Sequence, residues 1–396
     1  MAKIAIADKN IHPAAIAYLK DRGHEVGVPL HEADAGLIRS RVPDLAELGD
    51  NFLAFGRCGT GWNNLAHLTA HGVCILTAAG ANAPDVADQV VHILLDHSRN
   101  ISAARKYTHE LCFGREQNLF RDTFEEKKVG FRGRRLKGLK LAIVGAGNVG
   151  MQVIERVRCP WIDMRVSAFD IAWLAKNRKR ADELGVHIAA SMEEALAGAD
   201  YVTFHVPEDE TTHGLIRANA IAMMKPRAVV LNLAREGVCN VDDMLRALNS
   251  EHVGHYFTDL PDVRFGMHPS ATLTCHIGGE TGEAQTATAT LAAERLHRFL
   301  TRHITEGSVN FPMIDELPVN GAKAQLCIPH RASEKGVIAS VTTLLSREGF
   351  NIEEEALRHK GDLGVSVMGV DKIVPPKVVD AIRKLPHVHR VGVCTL

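Results

Sequence analysis

Three glycines carry the clearest chemical signal in the chain. In LKLAIVGAGNVGMQVIERV (139–157) an apolar run enters Gly145, Gly147 and Gly150, spaced G-x-G-x-x-G, and a helical pattern follows. The first glycine permits a tight turn, the second lets backbone approach a pyrophosphate, and the third lets strand and helix pack closely. Phosphate then sits on the helix N-terminus, where free N–H groups and the dipole favour negative charge. Asn148 and Val149, between the glycines, belong to the same cofactor-binding turn. Asp170 closes the next apolar run, twenty residues after Gly150. A carboxylate there accepts hydrogen bonds from both ribose hydroxyls of NAD and repels the additional phosphate of NADP. Arg178 and Lys179, just downstream, read as solvated helix charges. A glycine-rich turn without a ligand is the plain alternative; strand, helix and acid standing together weigh against it.

These residues need a frame. A strand-helix alternation runs from Leu139 through VSAFD (166–170), YVTFHV (201–206), AVVLNLA (228–234), HYFTDL (255–260) and ATLTCHI (271–277). An earlier one runs through KIAIAD (3–8), AAIAYLKDRG (14–23), LIRSR (37–41), FLAFGRCG (52–59) and GVCILTAA (72–79). Such repetition implies parallel sheets with helices on both faces. Residues 83–111 read as one long helix with Pro84 near its start, 114–136 as an arginine-rich loop, and 307–323 as a linker rich in proline and glycine. The remainder gives the order βαββαβ, with a hairpin turning at Gly361-Asp362, which is the ferredoxin-like plan. The expected fold is therefore α/β, with two doubly wound Rossmann-like domains, a cleft between them, and a small C-terminal domain. Residues 1–100 with 285–312 form the first domain, 101–284 the cofactor domain, 313–319 the linker and 320–396 the small domain.

Composition limits the partners. Lysine and arginine number 46 against 47 acids, so no global basic field points to nucleic acid. No apolar run reaches the length of a membrane span, and the first residues do not read as a signal peptide. The eight cysteines show no C-x-x-C, and no H-E-x-x-H occurs, so free thiols, a cytoplasmic setting and no metal site are expected.

The blocks GRCGTGWNNL (56–65), TAAGANAPDVADQV (77–90), HVPEDETTHGLI (205–216), MKPRAVVLNLAREGVCNVDDMLRAL (224–248) and CHIGGETGEAQ (275–285) stand around the glycine motif in a familiar order. Together they resemble the D-isomer-specific 2-hydroxyacid dehydrogenases over roughly residues 1–312. The resemblance implies NAD-dependent hydride transfer. Arg235 then grips the substrate carboxylate, which suits a rigid guanidinium fork, and His276 is the acid/base, a group that titrates near neutrality. His205, Val206, Pro207, Thr212, Ala234, Asp259, Gly278 and Gly279 border the cofactor by the same resemblance, whereas His268 reads as structural. The family's usual glutamate, partner of the histidine, falls at Arg264 in TDLPDVRF (258–265). Asp262 is the candidate replacement; a solvated turn acid is the plain alternative.

Arg39, Arg57, Gly59, Asn82 and Ala83 match substrate-facing positions. The additional arginines suit a phosphorylated hydroxy acid, 3-phosphoglycerate above glycerate, unless Arg39 and Arg41 merely pair with surface acids. Residues 320–396 resemble an ACT domain, which implies an amino-acid effector near Ser333, Gly336 and Asn351. The serine-sensing turn of that family reads R-A-S-E-K-G here (331–336), which puts serine itself in question. Homodimers or homotetramers are implied. The rivals are a dehydrogenase for another D-2-hydroxy acid and a non-catalytic NAD(H)-sensing protein on the same fold.

Overall fold

The structure, a computed structural model, describes residues 1–112 and 123–396. They fall into two compact units, Met1–Asn82 with Gly282–Leu396, and Ala83–Thr281. The loop expected at 114–136 lies partly outside the described residues; its remainder holds a short helical run and a 3-10 turn at Lys128–Phe131.

The first unit opens with five short strands, β1 (Lys3–Ile6), β2 (Glu25–Val26), β3 (Ala35–Ile38), β4 (Ala54–Arg57) and β5 (Cys74–Thr77). All pair in parallel, in the order β2-β1-β3-β4-β5. This is a doubly wound order whose direction reverses between β1 and β3. Gly56 on β4 has no room for a side chain, since a Cβ would stand 2.9 Å from the Ala292 carbonyl of the helix Gly282–Arg302.

The second unit holds β6 (Lys140–Val144), β7 (Arg165–Phe169), β8 (His187–Ile188), β9 (Tyr201–Phe204), β10 (Ala228–Asn232), β11 (Val253–Thr258) and β12 (Ala271–Leu273). Their order is β12-β11-β10-β9-β6-β7-β8, again parallel throughout. β6, β9 and β10 are almost wholly apolar and buried, as strands covered on both faces must be. Direction reverses between β6 and β9.

Two expectations are corrected here. The long helix is two, Ala83–Arg99 and Ile101–Cys112, broken at Asn100 with φ 52°. The Asp96 carboxylate accepts from both the Ser102 N–H and hydroxyl at 2.9 Å, so it caps the second helix and ends the first. The expected boundary at residue 100 falls at Asn82/Ala83, because Ala87, Val90 and Leu94 bury themselves with Met151, Ile154 and Val157 of the helix Asn148–Val157.

The chain ends in a third sheet of β13 (Ala324–Arg331), β14 (Ile352–Lys360), β15 (Leu363–Val370) and β16 (Gly392–Thr395). Antiparallel pairing in the order β14-β15-β13-β16, with helices Val337–Arg347 and Pro376–Arg383, gives the ferredoxin-like plan. Gly361, at φ 59°, turns the two-residue hairpin. One face of the sheet carries the helices, through Val341, Leu345, Val378 and Ile382. The other joins the core of the first sheet, where Cys327, Val365 and Val367 pack with Cys58, Cys74, Ala292 and Leu296. Arg390 is buried at this seam, donating to the carbonyls of Phe52 (2.6 Å), His71 (3.1 Å) and Gly49 (3.2 Å).

Candidate active site

The glycine turn is built as its residue types demand. Gly145 has φ 95°, and a Cβ there would stand 2.6 Å from the His205 carbonyl across the strand reversal. A Cβ on Gly150 would collide with the Gly145 carbonyl, whereas one on Gly147 would meet nothing within 4 Å, the room a pyrophosphate needs. Asp170 follows β7 and is half-buried. Its carboxylate accepts from the Ala146 N–H at 2.7 Å and the Ala172 N–H at 2.8 Å, so it shapes the turn as well as facing it. Asn177, absent from the sequence reading, donates to the Ala146 carbonyl at 2.9 Å. Arg178 and Lys179 are exposed. The residues present fit a dinucleotide.

Beside the turn, His205 donates its backbone N–H to Val144 and its ring Nε2 lies 3.0 Å from the Thr203 hydroxyl. Burial pushes its pKa down to about 4, so it is neutral near neutral pH. Thr212 donates to the Pro207 carbonyl at 2.6 Å and accepts from the Asp209 N–H at 2.9 Å, which folds the H-V-P-E-D loop.

Three further residues follow three neighbouring strands. Arg235 comes after β10, half-buried, with Nη1 donating to the Ala234 carbonyl at 2.7 Å. Burial lowers its pKa, partly offset by Glu208. Asn232 braces this bend, donating to the Arg235 carbonyl and accepting from the Ala234 N–H. Asp259 comes after β11 and is only 4% exposed. It accepts from the Thr274 hydroxyl (2.5 Å), the Ile277 N–H (2.9 Å) and the Gly278 N–H (2.6 Å). These bonds pull 274–278 out of β12 into a tight loop, so the expected strand through 277 stops at Leu273. His276 rides on that loop, exposed, with φ 59°. Gly278 permits the closure, since a Cβ would stand 2.7 Å from Gln89 Oε1 and 2.9 Å from Asp259 Oδ2.

Asp262 is committed elsewhere. Its carboxylate accepts from the Arg264 N–H at 2.9 Å and from the Arg264 guanidinium at 2.6 Å, capping the turn Val263–Phe265. The arginine at the glutamate position thus pairs with Asp262, the acid expected as partner of His276. Among the described residues of this unit, none hydrogen-bonds the His276 ring. His268 accepts from the Ser270 N–H.

In the first unit the matching feature lies at the reversal between β1 and β3. Asp8, after β1, accepts from the N–H groups of Arg39 (2.5 Å), Ser40 (2.9 Å) and Arg41 (3.2 Å). Asp8 was not legible in the sequence. Arg57 ends β4, and Gly59 makes room for it, because a Cβ there would collide with the guanidinium. The Arg57 guanidinium donates to the Cys58 carbonyl at 3.2 Å. Arg41 pairs with Glu47 on the surface. Asn82 and Ala83 mark the passage from one unit to the other. In the third sheet, the Ser333 N–H and the Asn351 N–H are held by Asp362 and Asp371. Gly336, at φ 83°, caps a helix.

Compared with known proteins, residues 91–278 match the family described as D-isomer specific 2-hydroxyacid dehydrogenase, NAD binding domain. That match takes in the glycine turn, Asp170, Arg235, Asp259 and His276. D-3-phosphoglycerate dehydrogenase of Methanocaldococcus jannaschii is 28% identical over 80% of this chain and 61% of its own length. That of Dictyostelium discoideum is 25% identical over 96% and 94%. That of Bacillus subtilis is 29% identical over 72% and 52%. The chain thus spans nearly all of the second relative but only about half to three-fifths of the other two. Among solved structures, apo D-mandelate dehydrogenase of Rhodotorula graminis superposes with a TM-score of 0.64, at 20% identity, covering 79% of this chain and 98% of that one. NAD+-bound 3-phosphoglycerate dehydrogenase of Entamoeba histolytica gives 0.60, at 20% identity, over 78% and 99%. These likenesses show the fold.

Proposed function

We propose that the chain is an NAD-dependent dehydrogenase that oxidises D-3-phosphoglycerate at C2 to 3-phosphohydroxypyruvate. The observation that carries this reading is the succession of Arg235, Asp259 and His276 after β10, β11 and β12, on the strand edge that bears the glycine turn. Ligands of doubly wound sheets bind outside the carboxyl ends of the strands. NAD, when bound, supplies the hydride acceptor. Asp170 holds its ribose and the turn Gly145–Gly150 its pyrophosphate. His205, Val206, Pro207, Thr212, Ala234, Gly278 and Gly279 border the nicotinamide. Arg235 fixes the substrate carboxylate in a two-pronged grip. The His276 imidazole takes the proton from the C2 hydroxyl as the hydride leaves C2, and Asp259 keeps that imidazole in place. Arg39 and Arg57 meet the phosphate, while Gly59, Asn82 and Ala83 offer backbone around the carboxylate. The relatives named D-3-phosphoglycerate dehydrogenase support the choice of substrate.

The test compares 3-phosphoglycerate with unphosphorylated glycerate, read by NADH absorbance, in the wild type and in Arg57→Ala. Losing one charge-assisted contact costs about 1.5–3 kcal/mol, so KM for 3-phosphoglycerate should rise about ten- to a hundredfold while that for glycerate changes little. Equal losses on both substrates would remove the phosphate reading. Residues 320–396 we read as an ACT-type regulatory module, with a small amino acid as effector near Ser333, Gly336 and Asn351, in a homodimer or homotetramer. Titration with single amino acids, alongside sedimentation, tests that reading.

A further inference from the structure

We propose that the second unit carries a binding site for a small multivalent anion at the amino ends of its parallel strands, on the sheet edge away from the glycine turn. A pocket of about 420 Å³ lies where β6, β9 and β10 begin, lined among others by His97, Arg132, Arg134, Asp200, Lys225 and Arg227. That volume suits a metabolite and not a polymer. Four cationic side chains meet here in a chain whose formal net charge is -1. Asp200 is the sole acid among the described lining residues. It takes Lys225 at 2.7 Å, with Arg134 at 3.8 Å, while Arg227 meets Glu251 at 2.6 Å. Two carboxylates therefore stand against four cations.

Backbone contacts bring the segments that carry these cations together. Gly133 presses on the end of the helix Ala83–Arg99: the Arg134 N–H donates to the Ser98 carbonyl at 2.7 Å, and a Cβ on Gly133 would stand 2.6 Å from Arg99 Cα. Arg132 and Arg134 flank it and line the pocket with exposed side chains. Arg227 has φ 63°, a left-handed conformation that glycine or asparagine adopts at less cost. Its N–H donates to the His252 carbonyl at 2.7 Å, and its own carbonyl packs so close to Gly254 that a Cβ there would stand 2.6 Å away. A strained arginine persists where its guanidinium contributes something that glycine would not. His97 and Tyr201 form the floor, with Nδ1 3.1 Å from the phenol oxygen. Positive charge on both flanks calls for at least two anionic groups on the ligand, phosphates or carboxylates, which guanidinium forks hold in pairs. The competing view gives Arg132 and Arg134 only the carboxyl-end dipole of the helix to answer, and Arg227 only Glu251.

The experiment is calorimetric titration of the full chain, kept saturated with NADH so that the glycine turn is filled, using pyrophosphate in one arm and citrate in the other. The wild type should bind one equivalent of at least one probe. Pyrophosphate alone assigns phosphates as the charged groups; citrate alone assigns carboxylates. Arg134→Gln and Arg227→Gly should each weaken binding by about tenfold or more. Arg227→Gly relieves the φ strain, so its melting temperature without anion should not fall, which separates lost binding from lost folding. Absence of binding by both probes, or binding that both variants retain, overturns the proposal.

Discussion

Asp259 engages both carboxylate oxygens with the loop bearing His276, so turnover and loop stability should respond together. Asp259→Asn keeps the size but presents an amide N–H to backbone N–H groups. The loss of at least one charge-assisted bond, about 1.5–3 kcal/mol, should lower both melting temperature and kcat; measured on one preparation, an unchanged pair would mean the loop is held by other groups. His276→Ala should reduce turnover by about a hundredfold or more, the usual scale for a positioned acid/base, while NADH still binds by fluorescence titration. Cysteine reactivity gives a further check. Burial pushes the Cys58 and Cys74 thiols up to about 12, whereas Cys112 and Cys275 are exposed. A thiol reagent on native protein should label Cys112 and Cys275 first, as peptide mass spectrometry would reveal. The glycine motif and Asp170 were legible because local spacing defines them. Asp8 and the bonds of Asp259 were not, since each acid meets donors that follow a neighbouring strand and share no local spacing with it.

At the scale of elements, the sequence identified types better than ends. Gly361-Asp362 marked its hairpin through turn chemistry, and the apolar runs marked the strands. ATLTCHI looked like strand to its last residue, yet a buried carboxylate pulled half of it into a loop. The break at Asn100 lacked a glycine or proline signal, and Asp96 supplies the cap from within the preceding helix. Asp96→Ala should therefore destabilise the protein by about 1 kcal/mol, whereas Asn100→Gly, which fits the left-handed φ, should be close to neutral. Chemical denaturation of the two variants distinguishes this from a hinge that costs nothing to alter.

For the whole molecule, the least legible feature was the seating of the third sheet. Its plan could be read, but LGVSVMGV (363–370) is apolar on both faces, and the second face is covered by the first sheet's core. His303 lies in that seam, fully buried, its Nε2 3.3 Å from the Gln325 carbonyl and its pKa lowered to about 4 by burial. A histidine depressed in the folded state binds its proton more readily when unfolded, so its contribution is intact above about pH 6.5 and is lost as pH falls towards 4. Denaturant midpoints across that window should fall with acid, and less steeply in His303→Gln. Arg390→Leu leaves three backbone carbonyls without their donor and should cost at least about 2 kcal/mol.

The shared core also bears on how the chain breaks. Asp315, Glu316 and Pro318–Gly321 are exposed, an inviting place for a protease, while Ile314 beside them is buried. Cutting there would not set a C-terminal fragment free. Cys327, Val365 and Val367 would remain inside the apolar cluster, and Arg390 would still clasp the carbonyls of Gly49, Phe52 and His71. The nicked chain should travel as a single species on a sizing column and come apart only in denaturant, whereas a chain synthesised without its last eighty or so residues would expose that cluster to water and aggregate.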